Sequence, residues 1–425
     1  MTPMTPPTPT PGKPNLIFIA HRIPFPPDKG EKIRGLNLLK HLSQTYRIHL
    51  GCLMDQPGDA GHIDTLREWC VDVAGFPIDK RRQKLLSVLR ARPGRPLMLD
   101  YYRHPALHAW VRATTQRTPM DIAYVYSVAM MPYAEHLAHI PGRPLGRPLG
   151  RPRMILDAQD IDSEKWTTYA EAAGFPMRHV WTREGRTLLA YERHAAAMCD
   201  ATLFVSPQEA ARFAELAPET AASVHAIENG VDLARFSPTL AFDTPFDTPG
   251  PHLVFTGNMD YWPNADAVIW FTQDVMPRLR AARPGLCFHV VGANPGADVQ
   301  RLAALPGIHV TGRVPDVRPY VAHADVCVAP LRIARGIQNK VLEAMAMARP
   351  VVATPGAFEG VRATAGQDLL VADGAEGTAT TILAVLDGAH PGLGIAGRAA
   401  VERGYAWSQT LGRLDALLAP LDVEA

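Results

Sequence analysis

Cysteine is scarce in this chain of 425 residues: Cys52, Cys70, Cys199, Cys287 and Cys327 are odd in number and scattered. Their spacing supports neither a disulfide framework nor a thiolate metal site. Most stand in apolar contexts, which predicts buried free thiols in a reducing cytosol. No run of 18 apolar residues occurs, so no segment is expected to span a bilayer. The opening stretch MTPMTPPTPTPGKP lacks the apolar core of a signal peptide and reads as a disordered tail over residues 1–14. An excess of one charge is missing too, since 43 Lys and Arg face 42 Asp and Glu for a net charge of +1. That balance points away from nucleic acid as a partner. No Gly-x-Gly-x-x-Gly follows an early strand, which argues against a nicotinamide-dependent dehydrogenase.

What is present is an alternation of strands and helices. The length suits two domains of roughly 200 residues each, and an apolar content of 47% can fill both cores. Buried-type strands are expected at 15–20, 46–53, 121–126, 154–157, 200–206 and 224–227, and again at 252–257, 287–292, 309–312, 326–331 and 351–354. Helices are expected at 31–45, 178–198, from 265, at 339–348 and from 405. The predicted class is α/β, with two doubly wound Rossmann-like domains at 15–238 and 251–404. A Pro-, Thr- and Asp-rich linker separates them at 239–250, and a last helix occupies 405–425. The tandem RPLG repeat at 142–152 reads as an exposed insertion with no function assigned.

The most informative stretch is 324–354. A strand runs into a polar loop containing Gly336, and the helix from Asn339 follows. In open α/β sheets, ligands sit at such carboxyl ends of strands. A helix N-terminus behind a glycine offers unpaired N–H groups and positive potential, which suits a phosphate. Lys340 in the first turn is unfavourable for the helix unless it meets an anion. Glu343 lies one turn on, on the face of Asn339 and Lys340, where a carboxylate could accept two hydrogen bonds from a ribose diol. A surface Lys–Glu pair on an ordinary helix fits the same spacing.

Three other stretches invite a function. Lys29, Lys32 and Arg34 cluster around Gly30 at a helix start, in a chain with only eight lysines. Seven basic residues at 80–95 surround Leu85, Leu86, Val88 and Leu89, as in a segment that lies on an anionic membrane, or as in a solvated helix face. Asp157, Asp160 and Asp162 at a strand end suit turn and cap roles, and no metal is expected there.

Glu343-Ala344-Met345-Ala346 followed by Pro350-Val351-Val352 resembles the donor-binding segment of GT-B glycosyltransferases, in the large retaining group called family 4. Asn229-Gly230-Val231-Asp232 with Phe236-Ser237-Pro238 is similar to the end of that group's N-terminal domain. The runs from Pro27 to Arg34 and from Asp160 to Trp166 resemble a subgroup found with bacterial exopolysaccharide and exosortase (PEP-CTERM) systems. The resemblance covers about 15–418. It implies a GT-B fold, with two Rossmann-like domains facing across a cleft and the last helix crossing back to the first. It also implies a cytoplasmic enzyme of cell-surface glycan biosynthesis, free or peripheral on the membrane's inner face. Such an enzyme moves a sugar with retention from a nucleotide diphosphate sugar to a saccharide or lipid-linked acceptor, without a further cofactor.

By the same resemblance Glu343 holds the ribose. Lys340 and the loop from Gly336 through Ile337, Gln338 and Asn339 meet the diphosphate, and Gly257, Asn258 and Asp260 line the donor. Arg335 and Asp160 join Lys340 in the catalytic set, and Lys29, Gly30 and Arg34 form the loop of the first domain. Three positions depart from the group's pattern. Arg335 stands where a first Glu is usual, Asn258 where an Arg is usual, and Gln159-Asp160 where a His is usual. These departures suit an alternative, a catalytically weakened sugar-binding partner in a polysaccharide assembly complex. A GT-B sugar-nucleotide epimerase would share the architecture.

Overall fold

A computed structural model describes residues 12–138, 151–333 and 337–419 of the chain. Two compact units emerge, one of 1–227 with 411–425 and one of 228–410. The first is built on seven parallel strands: β1 (Asn15–Ala20), β2 (Arg47–Met54), β3 (Cys70–Pro77), β4 (Ile122–Tyr126), β5 (Arg153–Gln159), β6 (Ala201–Phe204) and β7 (Val224–Ala226). Their order across the sheet is β3-β2-β1-β4-β5-β6-β7. Leu16, Ile17, Phe18 and Ile19 of β1 are fully buried, as an unbroken apolar run must be when helices cover both faces.

The second unit repeats the plan with six strands: β8 (His252–Thr256), β9 (Cys287–Val291), β10 (Ile308–Gly312), β11 (Val326–Ala329), β12 (Val351–Ala353) and β13 (Leu370–Val371). Their order is β10-β9-β8-β11-β12-β13. In each sheet the winding reverses beside the first strand of the series, between β1 and β4 and between β8 and β11. Those reversals open a crevice at the strands' carboxyl ends.

Helices that bear on function are α1 (Gly30–Leu42), α2 (Lys80–Leu89), α3 (Asp162–Ala172), α4 (Met177–Ala197), α5 (Trp262–Trp270), α6 (Asn339–Ala346) and α7 (Trp407–Leu418). Several expectations need correction. Strands β3 and β13 have no counterpart in the sequence reading, and β11 stops at Ala329 rather than 331. Helix α5 begins at Trp262 rather than 265, with Pro263 in its first turn where the missing N–H costs nothing. Helix α6 stops at Ala346 rather than 348, because Ala348 turns left-handed (φ +54°) and the Arg349 amide reaches back to the Ala344 carbonyl at 3.0 Å.

The stretch 239–250, read as a linker, is held on the second unit. The Phe246 ring lies 4.0 Å from that of His252 and 4.2 Å from that of His289, centroid to centroid. His323 Nε2 meets the Phe242 carbonyl at 2.7 Å. From Leu411 onward α7 belongs to the first unit, where His41 Nε2 meets Asp415 Oδ1 at 2.8 Å. Residues 1–11 of the expected tail, 142–150 of the repeat, Arg335 and Gly336 lie outside the described residues.

All five cysteines are free and buried. Burial pushes the thiols of Cys52 and Cys199 well up, and those of Cys70 and Cys327 to about 12.

Candidate functional site

The winding reversal of the second sheet lies beside the carboxyl end of β8, and glycines keep that end bare. A Cβ on Gly257 would meet Asn264 Nδ2 at 2.8 Å. One on Gly292 (φ +153°) would sit 1.7 Å from the Gly257 carbonyl oxygen. The space serves the Asn264 amide, which works in two directions. Its Nδ2 donates to the Asn258 carbonyl at 2.9 Å, and its Oδ1 accepts from Lys340 Nζ at 2.9 Å. Lys340, in the first turn of α6, is thereby drawn to the end of β8. Its ammonium also lies 4.9 Å above the Phe255 ring centroid and 3.5 Å from Gln338 Oε1.

The loop into α6 is pinned at its start. Thr354 Oγ1 donates to the Leu331 carbonyl at 2.5 Å, and Arg332 Nη2 meets Asp266 Oδ1 of α5 at 2.5 Å. Gln338, at the helix's N-cap position, supplies no side-chain cap to the first amides. Ile337, Gln338 and Asn339 are half-buried around that helix start. On the neighbouring loop, Asn294 Nδ2 (φ +57° at its residue) donates to Asn258 Oδ1 and Asp260 Oδ2, each at 3.2 Å.

Electrostatics mark the Lys340–Glu343 pair as unusual. Burial pushes the Lys340 ammonium down to about 8, although Glu343 pulls the other way. Burial pushes the Glu343 carboxyl up to about 7, against the pull of Lys340 and of Arg235. A cation near a helix N-terminus with its charge disfavoured is a poor structural choice. An anion placed beside it would restore its ordinary preference for the proton. Perturbed pairs of this kind in a crevice are where ligand chemistry is found.

Four contributors escaped the sequence reading: Asn264, Phe255, Asn294 and Arg235. Asn264 lies 76 residues from Lys340, and no local pattern announces the contact. Among the expected residues, Gly257, Asn258, Asp260, Gln338 and Lys340 are joined by the contacts above, with Glu343, Asn339 and Ile337 on or next to the same helix. Arg335 and Gly336 cannot be placed among the described residues.

The first unit corrects one expectation sharply. Arg34 is not a loop cation: it lies on the inner face of α1 and is 1% exposed. Its Nε donates to Asp157 Oδ2 at 2.9 Å and its Nη1 to the Ile227 carbonyl at 2.8 Å. Burial works against its charge, but Asp157 beside it holds the guanidinium above its ordinary value. Tyr124 donates to the same Asp157 oxygen at 2.7 Å. Arg34 is therefore an internal tie. Lys29 is the N-cap residue of α1 without a side-chain cap bond, and Gly30 opens the helix with room for a Cβ. Asp160 accepts from Lys165 Nζ at 2.7 Å, and Asp162 shares that ammonium at 3.0 Å.

Residues 250–388 match the model of the family described as glycosyl transferases group 1. No curated protein matches the chain. Among solved structures, Anabaena Alr3699/HepE in complex with UDP and glucose is 14% identical, with TM-score 0.65, covering 96% of this chain and 100% of that one. Sucrose-phosphate synthase from Thermosynechococcus elongatus is 16% identical, with TM-score 0.64, over 95% and 98% of the two chains. WaaG, a glycosyltransferase involved in lipopolysaccharide biosynthesis, is 14% identical, with TM-score 0.61, over 95% and 99%. At these identities the likeness is one of fold, and the fold is GT-B, with two Rossmann-like units.

Proposed function

We propose that this GT-B chain is a glycosyltransferase that moves a sugar from a nucleotide diphosphate sugar to a saccharide or lipid-linked acceptor. The observation that carries the reading is Lys340, a half-buried ammonium with a lowered proton affinity, held by Asn264 at the winding reversal of the second sheet. The match to glycosyl transferases group 1 spans this segment. In this reading the diphosphate lies against Lys340 and the amides that open α6, and Glu343 takes the ribose hydroxyls. As the glycosidic bond breaks, negative charge grows on the departing diphosphate, and a fixed cation with oriented N–H groups stabilises it most at that moment. The finer reading is a family 4-like enzyme, retaining, without a metal, in the cytoplasm and in exopolysaccharide assembly of the PEP-CTERM type.

A panel of UDP-, GDP- and ADP-sugars with saccharide and lipid-linked acceptors tests it. Transfer from one donor is expected. Interconversion without transfer would make the chain an epimerase, binding without turnover a sugar-binding partner, and no binding at all would end the reading.

A pH profile of donor kcat/KM provides a second check. The free chain needs Glu343 ionised and Lys340 protonated. Activity should therefore rise as pH increases through about 7 and fall as it passes about 8, the two values belonging to the coupled pair. Lys340→Arg, which keeps its charge, should remove the alkaline limb. A profile flat from acid to alkaline pH would take both residues out of donor binding.

A further inference from the structure

Helix α2 sits on its unit the opposite way round from a solvated helix. Its buried residues are polar: Gln83 and Ser87 are 8% and 5% exposed, and Gln83 Nε2 donates to the Arg103 carbonyl at 3.3 Å. Its outer stripe is apolar. Leu85, Val88 and Leu89, spaced to share one face, are 62%, 59% and 72% exposed. The seven basic residues at 80–95 surround that stripe, and no acidic residue occurs among them.

A second exposed apolar patch lies at the junction of α3 and α4. Tyr169, Phe175, Met177 and Val180 are all exposed there, and Phe175 is 86% accessible. The Tyr169 ring clusters with those of Trp166 and Trp181, with centroids 6.0 to 6.5 Å apart. From 169 to 183 the chain carries Arg178 and Arg183 and one acid, the exposed Glu171. The patches adjoin. Arg183, on the Val180 flank of α4, donates Nη2 to the Arg92 and Arg95 carbonyls at 2.5 and 3.1 Å. The buried Glu184 carboxylate beside it takes the amides of Leu97 and Met98, each at 2.9 Å.

The geometry points to this double patch as a docking surface for an anionic lipid bilayer. Aliphatic and aromatic side chains interleaved with Arg and Lys match the boundary between acyl chains and charged headgroups. Clustered basic residues add attraction for anionic lipid. A protein partner fits less well, since the centres of protein interfaces are depleted in charge. The inference rests on the first unit's surface alone and does not require the transferase reading.

Flotation of the full chain with vesicles tests it. Binding is expected to vesicles of phosphatidylglycerol mixed with phosphatidylcholine, lost in high salt and absent with phosphatidylcholine alone. The pairs Leu85→Ser with Leu89→Ser, Phe175→Ser with Met177→Ser, and Arg81→Glu with Lys84→Glu should each weaken binding about tenfold, with unchanged circular dichroism and thermal unfolding. Equal binding to both vesicle types, or to neither, overturns the proposal. So does a dimer in sedimentation that Leu85→Ser with Leu89→Ser converts to monomer, since the patch would then belong to a second copy.

Discussion

Lys340→Ala is expected to lower donor kcat/KM at least a hundredfold while leaving the chain folded. Removing a fixed donor aimed at developing charge typically costs about 3–4 kcal/mol in the transition state. The folded chain gains little from this ammonium. Burial depresses its proton affinity more than Glu343 raises it, its hydrogen-bond partners Asn264 and Gln338 are uncharged, and it stands at the helix end where positive charge is disfavoured. The melting temperature should therefore hold or rise as activity falls, the pattern of a residue kept for chemistry rather than stability. Asn264→Ala should cost less, about fivefold, because it removes one orienting hydrogen bond to Lys340 of roughly 1 kcal/mol. Full activity in Lys340→Ala would remove the residue from the mechanism, and a large drop in melting temperature would make it structural.

Asp157→Ala is the largest stability effect expected, a loss of about 3–5 kcal/mol. It takes a carboxylate from a fully buried position and leaves the Arg34 guanidinium, 1% exposed, with its charge unmatched. Tyr124 loses its acceptor in the same step. Asp157→Asn keeps an acceptor for both and should cost about half as much, because the charge alone is lost. Urea unfolding followed through the first unit's tryptophans measures both, and a midpoint unmoved in Asp157→Ala would mean that Arg34 finds another way to be satisfied.

The two predictions concern residues that the sequence treats very differently. Lys340 could be singled out because its oddity is local, a cation in a first turn behind a glycine. The parallel strands were legible for the same reason: runs such as that of β1 are apolar throughout because both sheet faces are covered. Arg34 misled because its partner is 123 residues away, and a basic residue near a helix start looks solvated until the sheet puts Asp157 beneath it. Strand β3 escaped because it is a sheet edge. Only Cys70 and Val73 are buried along it, and Gly75 and Pro77 read as turn residues. Asn264 escaped for a third reason, since an Asn in the first turn of a helix is unremarkable until a lysine from a distant helix reaches its oxygen.

The sealed thiols provide the molecule with its own probes of opening. Cys52, Cys70 and Cys199 report on the first unit, and Cys287 and Cys327 on the second. An alkylating reagent can reach them only when the surrounding structure parts. Mass spectrometry of the tagged peptides would thus yield a separate opening free energy for each half of the chain, without any added label.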